Sequence, residues 1–405
     1  MRILTVGNMY PPHSLGGYEL TWRSSVEHLR SAGHEVEVLT TGFRLATQGH
    51  VGDPSHVHRD LGWYWHDHEF TPMSPLRRLA LERRNARVLR DRLARLRPQA
   101  VAWWAMGGMS LSMIERVRRM AIPAVGVVGD DWMVYGPRVD GWMRAFRGGR
   151  LKSVARQAGA ATGIPTTLDL GEAARWLFVS EEVRADARAH WDLPDTDLAH
   201  PGIDPGLFAA TPPPAWRWKL AYVGRIDPRK GLDSAVCALG RLPAEATLTI
   251  TGTGDDRHLA ELEALARQLG LADRVLFQTL PRESIATAYA DADVVLFPVT
   301  WREPWGLVPL EAMAVGRPVI TSGRGGQRAY LRDGENCLVV HPDAGAEALA
   351  DAIRRLAGGH ALRERLQAGG AETSARFTEA AYNDRIAAAL GRAAVRWTSP
   401  ASAEP

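Results

Sequence analysis

Arg225 and Lys230 lie in the segment G-R-I-D-P-R-K-G, residues 224–231, which follows an apolar, strand-like run. Two cations at the carboxyl end of a strand, next to the start of a helix, can neutralise a diphosphate. Only three of the 49 lysine and arginine residues of the chain are lysine, so Lys230 stands out against an arginine-rich background. The alternative is a basic turn that only faces solvent.

Glu303 and Glu311 lie eight positions apart and flank a loop that enters a helix, in the segment E-P-W-G-L-V-P-L-E. Gly306 allows a ligand to approach the backbone closely, and Pro309 suits the first turn of a helix. Carboxylates placed in this way can accept hydrogen bonds from sugar hydroxyls. Taken separately, the two residues would instead be a helix cap at 303 and a surface side chain at 311.

Two further groups of residues lie where strands of the first half end. Asp130 and Asp131 follow the apolar run 124–128 and are candidate substrate ligands, with capping of a turn or helix as the alternative. Gly16 and Gly17 start a helix after the first strand, where their amides could approach an anion. Their spacing is not the G-x-G-x-x-G of a dinucleotide site, and a plain tight turn is the alternative.

Short apolar runs alternate with helical patterns along the whole chain, which indicates parallel β-sheet and an α/β fold. The alternation breaks at residues 200–218, where a triple proline suggests a hinge. We therefore predict two doubly wound, Rossmann-like domains facing a cleft, with ligands at the carboxyl ends of the strands. The predicted boundaries are residues 1–199 for the first domain, 200–376 for the second, 377–395 for a terminal helix that packs back on the first domain, and 396–405 for a disordered tail.

The composition excludes several classes of protein. The 405 residues exceed one ordinary domain, and 45% hydrophobic with 23% charged residues is typical of a folded globular protein. No run of about 18 apolar residues could span a membrane, and a net charge of +3 does not indicate a nucleic-acid surface. Cys237 and Cys337 lack metal-ligand spacing and favour a reducing compartment. The apolar run at residues 2–6 is too short for a signal peptide, so we expect a cytoplasmic protein.

Taken in order along the chain, these segments are similar to those of the family 4 glycosyltransferases. The similarity rests on the early glycine pair, on G-R-x4-K-G, on T-I-T-G-T-G-D at residues 249–255, and on E-P-W-G-L-V-P-L-E-A-M-A from residue 303. It covers nearly the whole chain, is strong over residues 219–356 and is looser over 44–200, where this family varies with the acceptor. The resemblance implies the GT-B fold and retaining transfer of a sugar from a nucleoside diphosphate sugar to an acceptor hydroxyl.

The resemblance also implies roles for residues of the second half. Arg225 and Lys230 correspond to the pair that neutralises the donor diphosphate. Glu311 corresponds to the carboxylate that binds the ribose hydroxyls, and Glu303 to the one beside the donor sugar. The turn at residues 279–282 would contact the base, mostly through its backbone. The distal phosphate would be held by the backbone amides of Gly306, Leu307 and Val308.

The first half departs from the family at one position. Gly16 and Gly17 would close over the same diphosphate, but many relatives carry His-Asp where this chain has Gly129 and Asp130. Asp130 matches the aspartate of the family and is expected to contact a hydroxyl of the donor or acceptor, with Asp131 as a further ligand. Without the histidine, we expect the charge of the leaving group to be handled by the cations of the second half and by the helix N-terminus.

The predicted partners are a nucleoside diphosphate sugar and a sugar acceptor, without nucleic acid. No cofactor and no required metal are expected, because no cluster has metal-ligand spacing and we interpret Asp291 and Asp293 as a helix end and turn. Residues 77–97 hold nine arginines and two acids; they form either a core-facing helix with a basic outer face or a helix that contacts a membrane surface. The alternatives in function are a GT-B sugar-nucleotide epimerase or hydrolase, and a non-catalytic nucleotide-sugar-binding protein.

Overall fold

A computed structural model of the chain describes residues 1–45, 52–66, 69–70, 72–146, 159, 161–213 and 215–398. The chain forms two compact units. The first contains Met1–His200 together with the C-terminal segment from Asn383, and the second contains Pro201–Tyr382. Each unit has its own parallel sheet, which agrees with the predicted α/β fold.

The first unit alternates strands and helices. In chain order they are β1 (Arg2–Val6), α1 (Gly17–Ser31), β2 (Glu35–Thr41), β3 (Val57–Leu61), β4 (Trp65–His66), β5 (Glu69–Phe70), α2 (Pro75–Leu96), β6 (Ala100–Trp103), α3 (Ser112–Arg119), β7 (Ala124–Val128), α4 (Trp132–Val139), α5 (Gly141–Phe146), β8 (Arg175–Phe178), α6 (Glu181–Arg188) and β9 (Thr196–Leu198). The main sheet has the order β3-β2-β1-β6-β7-β8-β9, and β4 and β5 form a separate antiparallel pair. All residues of β6 and β7 are buried, as expected for strands of a parallel sheet covered on both faces.

The second unit repeats this pattern. Its elements are β10 (Lys219–Val223), α7 (Leu232–Leu239), β11 (Thr247–Thr251), α8 (Asp256–Gln268), β12 (Val275–Gln278), α9 (Ile285–Ala290), β13 (Val294–Phe297), α10 (Leu307–Ala314), β14 (Val319–Thr321), β15 (Leu338–Val339), α11 (Gly345–Gly358) and α12 (His360–Ala375). The sheet order is β12-β11-β10-β13-β14-β15, with parallel neighbours throughout. The core includes Leu220, Val236, Leu248, Leu296 and Ile353, all essentially inaccessible.

The order of the strands reverses at β1 in the first sheet and at β10 in the second. The chain moves outward from β1 through β2 and β3, then returns to pair β6 on the other side of β1. It does the same around β10, which lies between β11 and β13. Loops at the carboxyl ends of the strands diverge at such a point and leave room for a ligand. In the second unit, the loops after β10 and β13 carry the predicted site.

The last helix, α13 (Glu379–Thr398), begins in the second unit, and its residues from Asn383 belong to the first. Asn383 is anchored on α1: its Oδ1 accepts a hydrogen bond from Ser25 Oγ at 2.6 Å, and its Nδ2 donates to Ser24 Oγ at 2.8 Å. The helix therefore packs on the first unit. It continues to Thr398, so the predicted tail at 396–405 was placed too early; residues 399–405 lie outside the described residues.

Helix α2 shows how the arginine-rich segment is arranged. One face of the helix is buried and carries Glu82, Asn85, Leu89, Leu93 and Leu96. The opposite face exposes arginines for which no ion pair with another described residue is found: Arg77, Arg83, Arg84, Arg87 and Arg95. The helix thus has one core-facing side and a basic outer side, and contact of the outer side with a membrane stays a prediction. Among the described helices of the chain, none combines the length and the apolar character needed to cross a bilayer.

Candidate functional site

The turn after β10 places Arg225 and Lys230. Asp227 Oδ1 accepts the Arg229 amide at 2.9 Å and starts a short 3-10 turn that ends at Gly231. Gly231 has φ 69°, and a Cβ there would lie 2.1 Å from the carbonyl oxygen of Pro298, which follows β13. Only glycine fits this position. The turn is therefore pressed against the end of β13, which brings its cations toward the loop that carries Glu303.

The charge of Arg225 is partly compensated by Asp227. Arg225 Nη2 and Arg229 Nη2 each lie 2.8 Å from Asp227 Oδ2. Burial raises the pKa of Asp227, but the hydrogen bonds from Arg229 and the charges of both arginines outweigh it and hold that pKa well below its usual range. Asp227 therefore remains ionised at neutral pH. It orients the guanidinium of Arg225, whose side chain is 31% exposed.

Lys230 and Glu303 form an ion pair, with 2.7 Å between Nζ and Oε2, and each side chain is only 13% exposed. Trp301 Nε1 donates to the same carboxylate oxygen at 2.8 Å. The Trp301 ring also lies 5.3 Å from Lys230 Nζ and 4.4 Å from Arg229 Cζ, within the range of cation–π contacts. Sequence reasoning brought Lys230 and Glu303 to one site but missed Trp301. The one hint in the sequence that Trp301 belongs to this site was its position two residues before Glu303.

The N-terminus of α10 lies in the same loop. Gly306 precedes the helix with φ 84°, in the region that favours glycine. Its carbonyl accepts a hydrogen bond from the buried hydroxyl of Tyr330, which fixes the entry of the chain into the helix. The first amides of a helix have no acceptor within it and can bind an anion. The amides predicted for this role are those of Gly306, Leu307 and Val308.

Glu311 is buried, so the alternative of a surface side chain is wrong. Its Oε1 accepts from Arg282 Nη1 at 2.8 Å, and its Oε2 accepts from Tyr289 OH at 2.6 Å. Arg282 also lies over the Phe208 ring, 5.0 Å from its centroid. Sequence reasoning assigned the 279–282 turn to base contacts through the backbone and did not foresee the Arg282 side chain. The predicted contact of Glu311 with ribose stays a prediction.

Asp291 and Asp293 have structural partners. Asp293 Oδ2 accepts the amides of Arg217 and Lys219 at 2.7 and 2.8 Å, which fixes the start of β10. Asp291 pairs with Lys219 Nζ at 2.9 Å. The interpretation of this pair as a helix end and turn is confirmed. Over the described ranges of the chain, no three His, Cys, Asp or Glu side chains are grouped so as to hold a metal ion.

In the first unit, the helix start at Gly16 and Gly17 adjoins the end of β7. The Gly16 amide donates to Glu19 Oε2 at 2.9 Å and is thereby capped. The Tyr18 hydroxyl donates to the carbonyl of Val127, and a Cβ at Gly129 would lie 2.6 Å from the Tyr18 ring. The ring therefore fills the space that a side chain at position 129 needs. A larger residue at position 129 would therefore require the Tyr18 ring to move.

Asp130 follows Gly129 and has fixed partners. Its Oδ1 accepts the Trp132 amide and its Oδ2 accepts from Tyr135 OH, both at 3.2 Å. The first bond caps the turn before α4, so the capping alternative holds in part. Burial, and next the charge of Asp131, raise the pKa of Asp130 to about 7. Asp131 is exposed, and its side chain makes no capping bond to α4. Of the two acids, Asp130 is the one that the fold orients.

The predicted site residues thus form two groups, one in each unit. The second unit brings together one set around the loops after β10 and β13: Arg225, Lys230, Glu303, Gly306, Leu307, Val308 and Glu311. The first unit holds the other set near the ends of β1 and β7: Gly16, Gly17 and Asp130. Binding roles for these residues stay predictions, and Gly16 would have to exchange its capping carboxylate for a ligand.

Comparison with known proteins gives two adjoining family matches. Residues 15–207 match the family described as Glycosyltransferase Family 4, and residues 207–373 match the family described as Glycosyl transferases group 1. The chain is 35% identical over 223 residues to a D-inositol 3-phosphate glycosyltransferase of Mycobacteroides abscessus. This match covers 50% of the chain and 48% of the relative, so the chain aligns with about half the length of that protein.

Two solved structures resemble almost the whole chain. Sucrose-phosphate synthase from Thermosynechococcus elongatus gives a TM-score of 0.73 at 22% identity, covering 98% of this chain and 99% of that one. Anabaena HepE, solved in complex with UDP and glucose, gives 0.71 at 20% identity and covers 96% and 99%. These likenesses concern the fold, and they confirm the predicted GT-B class with two Rossmann-like domains.

Proposed function

Since the chain belongs to family 4 of the glycosyltransferases, we propose that it transfers a sugar from a nucleoside diphosphate sugar to an acceptor hydroxyl. The observation that carries the proposal is the meeting of Lys230, Glu303 and the N-terminus of α10 after strands β10 and β13. A cation and a row of free amides suit the diphosphate that leaves the donor. A carboxylate beside them suits the hydroxyls of the transferred sugar.

The leaving diphosphate would be stabilised by this chain alone, without a metal ion. Arg225 and Lys230 supply two cations, and the amides of Gly306 and the next two residues supply aligned dipoles. The phosphate would displace Glu303 from Lys230, which frees the carboxylate to accept hydrogen bonds from the sugar. Transfer would proceed with retention: the acceptor attacks the face from which the diphosphate departs, and its proton passes to the departing phosphate oxygen.

The nucleoside end of the donor would lie toward Arg282 and Glu311, and Asp130 of the first unit would bind a hydroxyl of the donor or acceptor. The relative in Mycobacteroides abscessus is named for D-inositol 3-phosphate, which makes a phosphorylated polyol one acceptor to test. The proposed acceptor is a hydroxyl of a small molecule, a glycan or a lipid-linked sugar.

A non-catalytic nucleotide-sugar-binding protein is the second candidate, because the Tyr18 ring and Gly129 leave no place for the histidine of the family. The retained cations and both glutamates argue for catalysis. A thermal-shift panel of nucleoside diphosphates and their sugars identifies the donor; a hundredfold excess over Kd stabilises by about 2.7 kcal/mol. The panel is followed by a transfer and donor-hydrolysis assay. A pure binder gives the shift without product, and a protein that binds no nucleotide contradicts both candidates.

The outer face of α2 would bring the protein to a lipid-linked acceptor at an anionic membrane. Arg83 and Arg87 lie one turn apart on that face, and Leu76 at the start of the helix is 80% exposed. Basic residues near an anionic surface each contribute roughly 1 kcal/mol. In a sedimentation assay at low salt, the wild type should pellet with vesicles that contain phosphatidylglycerol. The Arg83→Glu/Arg87→Glu variant should stay in the supernatant. Equal binding of the variant, or none by the wild type, contradicts membrane contact.

A further inference from the structure

Four aromatic side chains gather on one surface of the first unit, and we call them the aromatic platform: Phe43, Trp63, Trp65 and Phe70. The centroids of the Trp63 and Trp65 rings are 4.7 Å apart, and the Phe43 ring lies 5.8 and 5.7 Å from them. Trp65 and Phe70 stand opposite each other in the β4–β5 pair, so their side chains share a face. Phe70 is 41% exposed and the other three are half-buried. Rings that are partly open to solvent can bind the apolar face of a ligand.

The platform rests on the carboxyl end of β6, where Gly107 and Gly108 follow the strand. A Cβ at Gly108 would lie 2.9 Å from Cε1 of the Phe70 ring, and a Cβ at Gly107 would overlap the Tyr135 hydroxyl. The Gly108 carbonyl accepts the Tyr64 amide at 2.7 Å. The two glycines therefore let Phe70 and Tyr135 lie directly on the backbone at the end of the sheet.

Tyr135 connects the platform to Asp130. The centroids of the Phe70 and Tyr135 rings are 6.3 Å apart, and the Tyr135 hydroxyl donates to Asp130 Oδ2 at 3.2 Å. Strands β6 and β7 are parallel neighbours, so the residues that follow them lie at the same edge of the sheet. Aromatic rings and an oriented carboxylate thus adjoin each other at the strand ends.

A sugar ring matches both parts of this surface. The C–H groups of a pyranose give the ring an apolar face, and burying that face against an aromatic ring is favourable. Its hydroxyls can donate to the Asp130 carboxylate. A phosphorylated polyol would instead bring a second negative charge toward Asp130. A lipid chain could cover the rings but has no group that binds the carboxylate.

We propose that the aromatic platform is the acceptor subsite and that it takes a pyranose ring, which stacks on Phe70 while one of its hydroxyls binds Asp130. The proposal rests on the proposed function, which requires an acceptor hydroxyl. It narrows the acceptor to a glycoside, either free or as the sugar end of a glycan or a lipid-linked sugar. Phe70 and Trp65 are then residues that determine acceptor specificity.

Saturation-transfer difference NMR reads this contact directly. Aromatic protons of the protein are irradiated, and the saturation reaches those ligand protons that lie close to them. The probes are the methyl glycosides of glucose, galactose, mannose and N-acetylglucosamine, with D-inositol 3-phosphate as the phosphorylated polyol. We expect saturation of the ring protons of at least one glycoside and a weaker signal or none from D-inositol 3-phosphate. Absence of signal from every glycoside, or a stronger signal from the polyol phosphate, overturns the proposal.

Variants of Phe70 place the contact on the platform. Phe70→Leu keeps an apolar side chain and loses the ring, whereas Phe70→Trp keeps a ring. We expect Phe70→Leu to weaken glycoside binding about threefold to tenfold and Phe70→Trp to bind as the wild type does. Met120→Leu changes an apolar side chain of the same unit that is 48% exposed, and it is the matched control. Unchanged glycoside affinity in Phe70→Leu overturns the stacking role.

The octyl form of the glycoside that binds distinguishes a sugar from a lipid chain. Saturation of its ring protons supports the proposal, and saturation confined to the octyl chain overturns it and assigns the platform to a lipid tail.

The glycosides are measured without nucleotide, which separates this test from that of the proposed function. If the protein binds a nucleoside diphosphate but no glycoside, the proposal fails and the proposed function stands. If it binds a glycoside but no nucleoside diphosphate, the proposed function fails, and the acceptor role of the platform fails with it. Thermal unfolding checks that each variant is folded. Should Phe70→Leu not fold, the same comparison on Trp65→Leu decides whether the platform binds the ring.

Discussion

The second unit compensates its charged site residues with ion pairs, whereas the first unit holds Asp130, Glu82 and Asp140 with neutral groups. Glu115, also buried in the first unit, instead pairs with Arg118 and Arg119. Around the loops after β10 and β13, Arg225 faces Asp227 and Lys230 faces Glu303. In the first unit, no described cation forms an ion pair with Asp130 or with the buried acids Glu82 and Asp140. Hydroxyls and backbone amides bind them instead: Tyr64, Ser112 and Tyr135 through their hydroxyls, and Leu111, Trp132, Trp142 and Met143 through their amides.

The two arrangements respond differently to a ligand and to pH. An ion pair can exchange its internal carboxylate for a ligand phosphate, so the second unit is suited to bind an anion without building a new site. Burial raises the pKa of a carboxyl group that has no cation beside it, because nothing offsets the lost hydration of the charged form. Burial, and next the charge of Glu82, raise the pKa of Asp140 to about 8. We therefore expect Asp130 and Asp140 of the first unit to titrate nearer to neutral pH than ordinary carboxyl groups do.

The strongest test of this contrast removes a clamp cation. Lys230→Ala should lower transfer about 10²–10³-fold, the effect of losing one donor to a developing oxyanion, with the unfolding temperature little changed. Lys219→Ala is the matched control, because that lysine is 40% exposed and pairs with Asp291 away from the clamp. Steady-state transfer rates of both variants decide it. Wild-type turnover in Lys230→Ala would remove the ion-pair exchange from the mechanism.

Asp130 tests the arrangement of the first unit, in which an acid is held without a cation. Asp130→Asn should lower transfer about 10–100-fold, the cost of losing a hydrogen bond to a charged group. If the ionised carboxylate is the active form, the wild-type rate rises with pH through about 7. Asp131→Asn keeps Asp130 but removes the neighbouring charge, so it should move that midpoint to lower pH. A rate profile between pH 5 and 9 that is identical in all three proteins contradicts the role.

The free energy of unfolding should depend on pH because of the buried acids of the first unit. Because the pKa of Asp140 is higher in the folded state than in the unfolded chain, the folded protein binds more protons between about pH 4 and 8. Raising the pH through this window should therefore lower the free energy of unfolding, by up to about 1.4 kcal/mol per pH unit. Asp140→Asn should flatten this dependence in thermal unfolding at pH 5.5 and 8.5. An equal slope in the variant would show that Asp140 does not titrate there.

The smallest effect concerns the partner of Lys230. Glu303→Gln removes the internal anion that a phosphate must displace, so affinity for the nucleoside diphosphate should stay the same or rise a few-fold. Turnover should fall, because the contact proposed for Glu303 is with the transferred sugar. Calorimetry with the diphosphate and a transfer assay measure the two quantities separately. A loss of diphosphate affinity would mean that Glu303 supports the clamp rather than competing with it.

The fold class and the family could be predicted from the sequence, because the patterns that indicate them are local. Alternating strand and helix patterns, and cations or carboxylates at the ends of strands, appear within short windows of the chain. The GT-B class and the family resemblance are confirmed by the matches over residues 15–373. The end of α13 was less accessible, and its last three residues, 396–398, were assigned to the tail because they precede a segment rich in Ser, Pro and Ala.

The sequence by itself determined which residue types stand after each strand, since they follow from spacing along the chain. Only the tertiary structure decided their partners, because those contacts join residues far apart in sequence. Lys230 meets Glu303 across 73 positions, and Tyr18 meets Val127 across 109. The latter contact fills the space above Gly129. Burial was likewise decided by packing, and it made Glu311 an internal partner of Arg282 where spacing alone left a surface glutamate open.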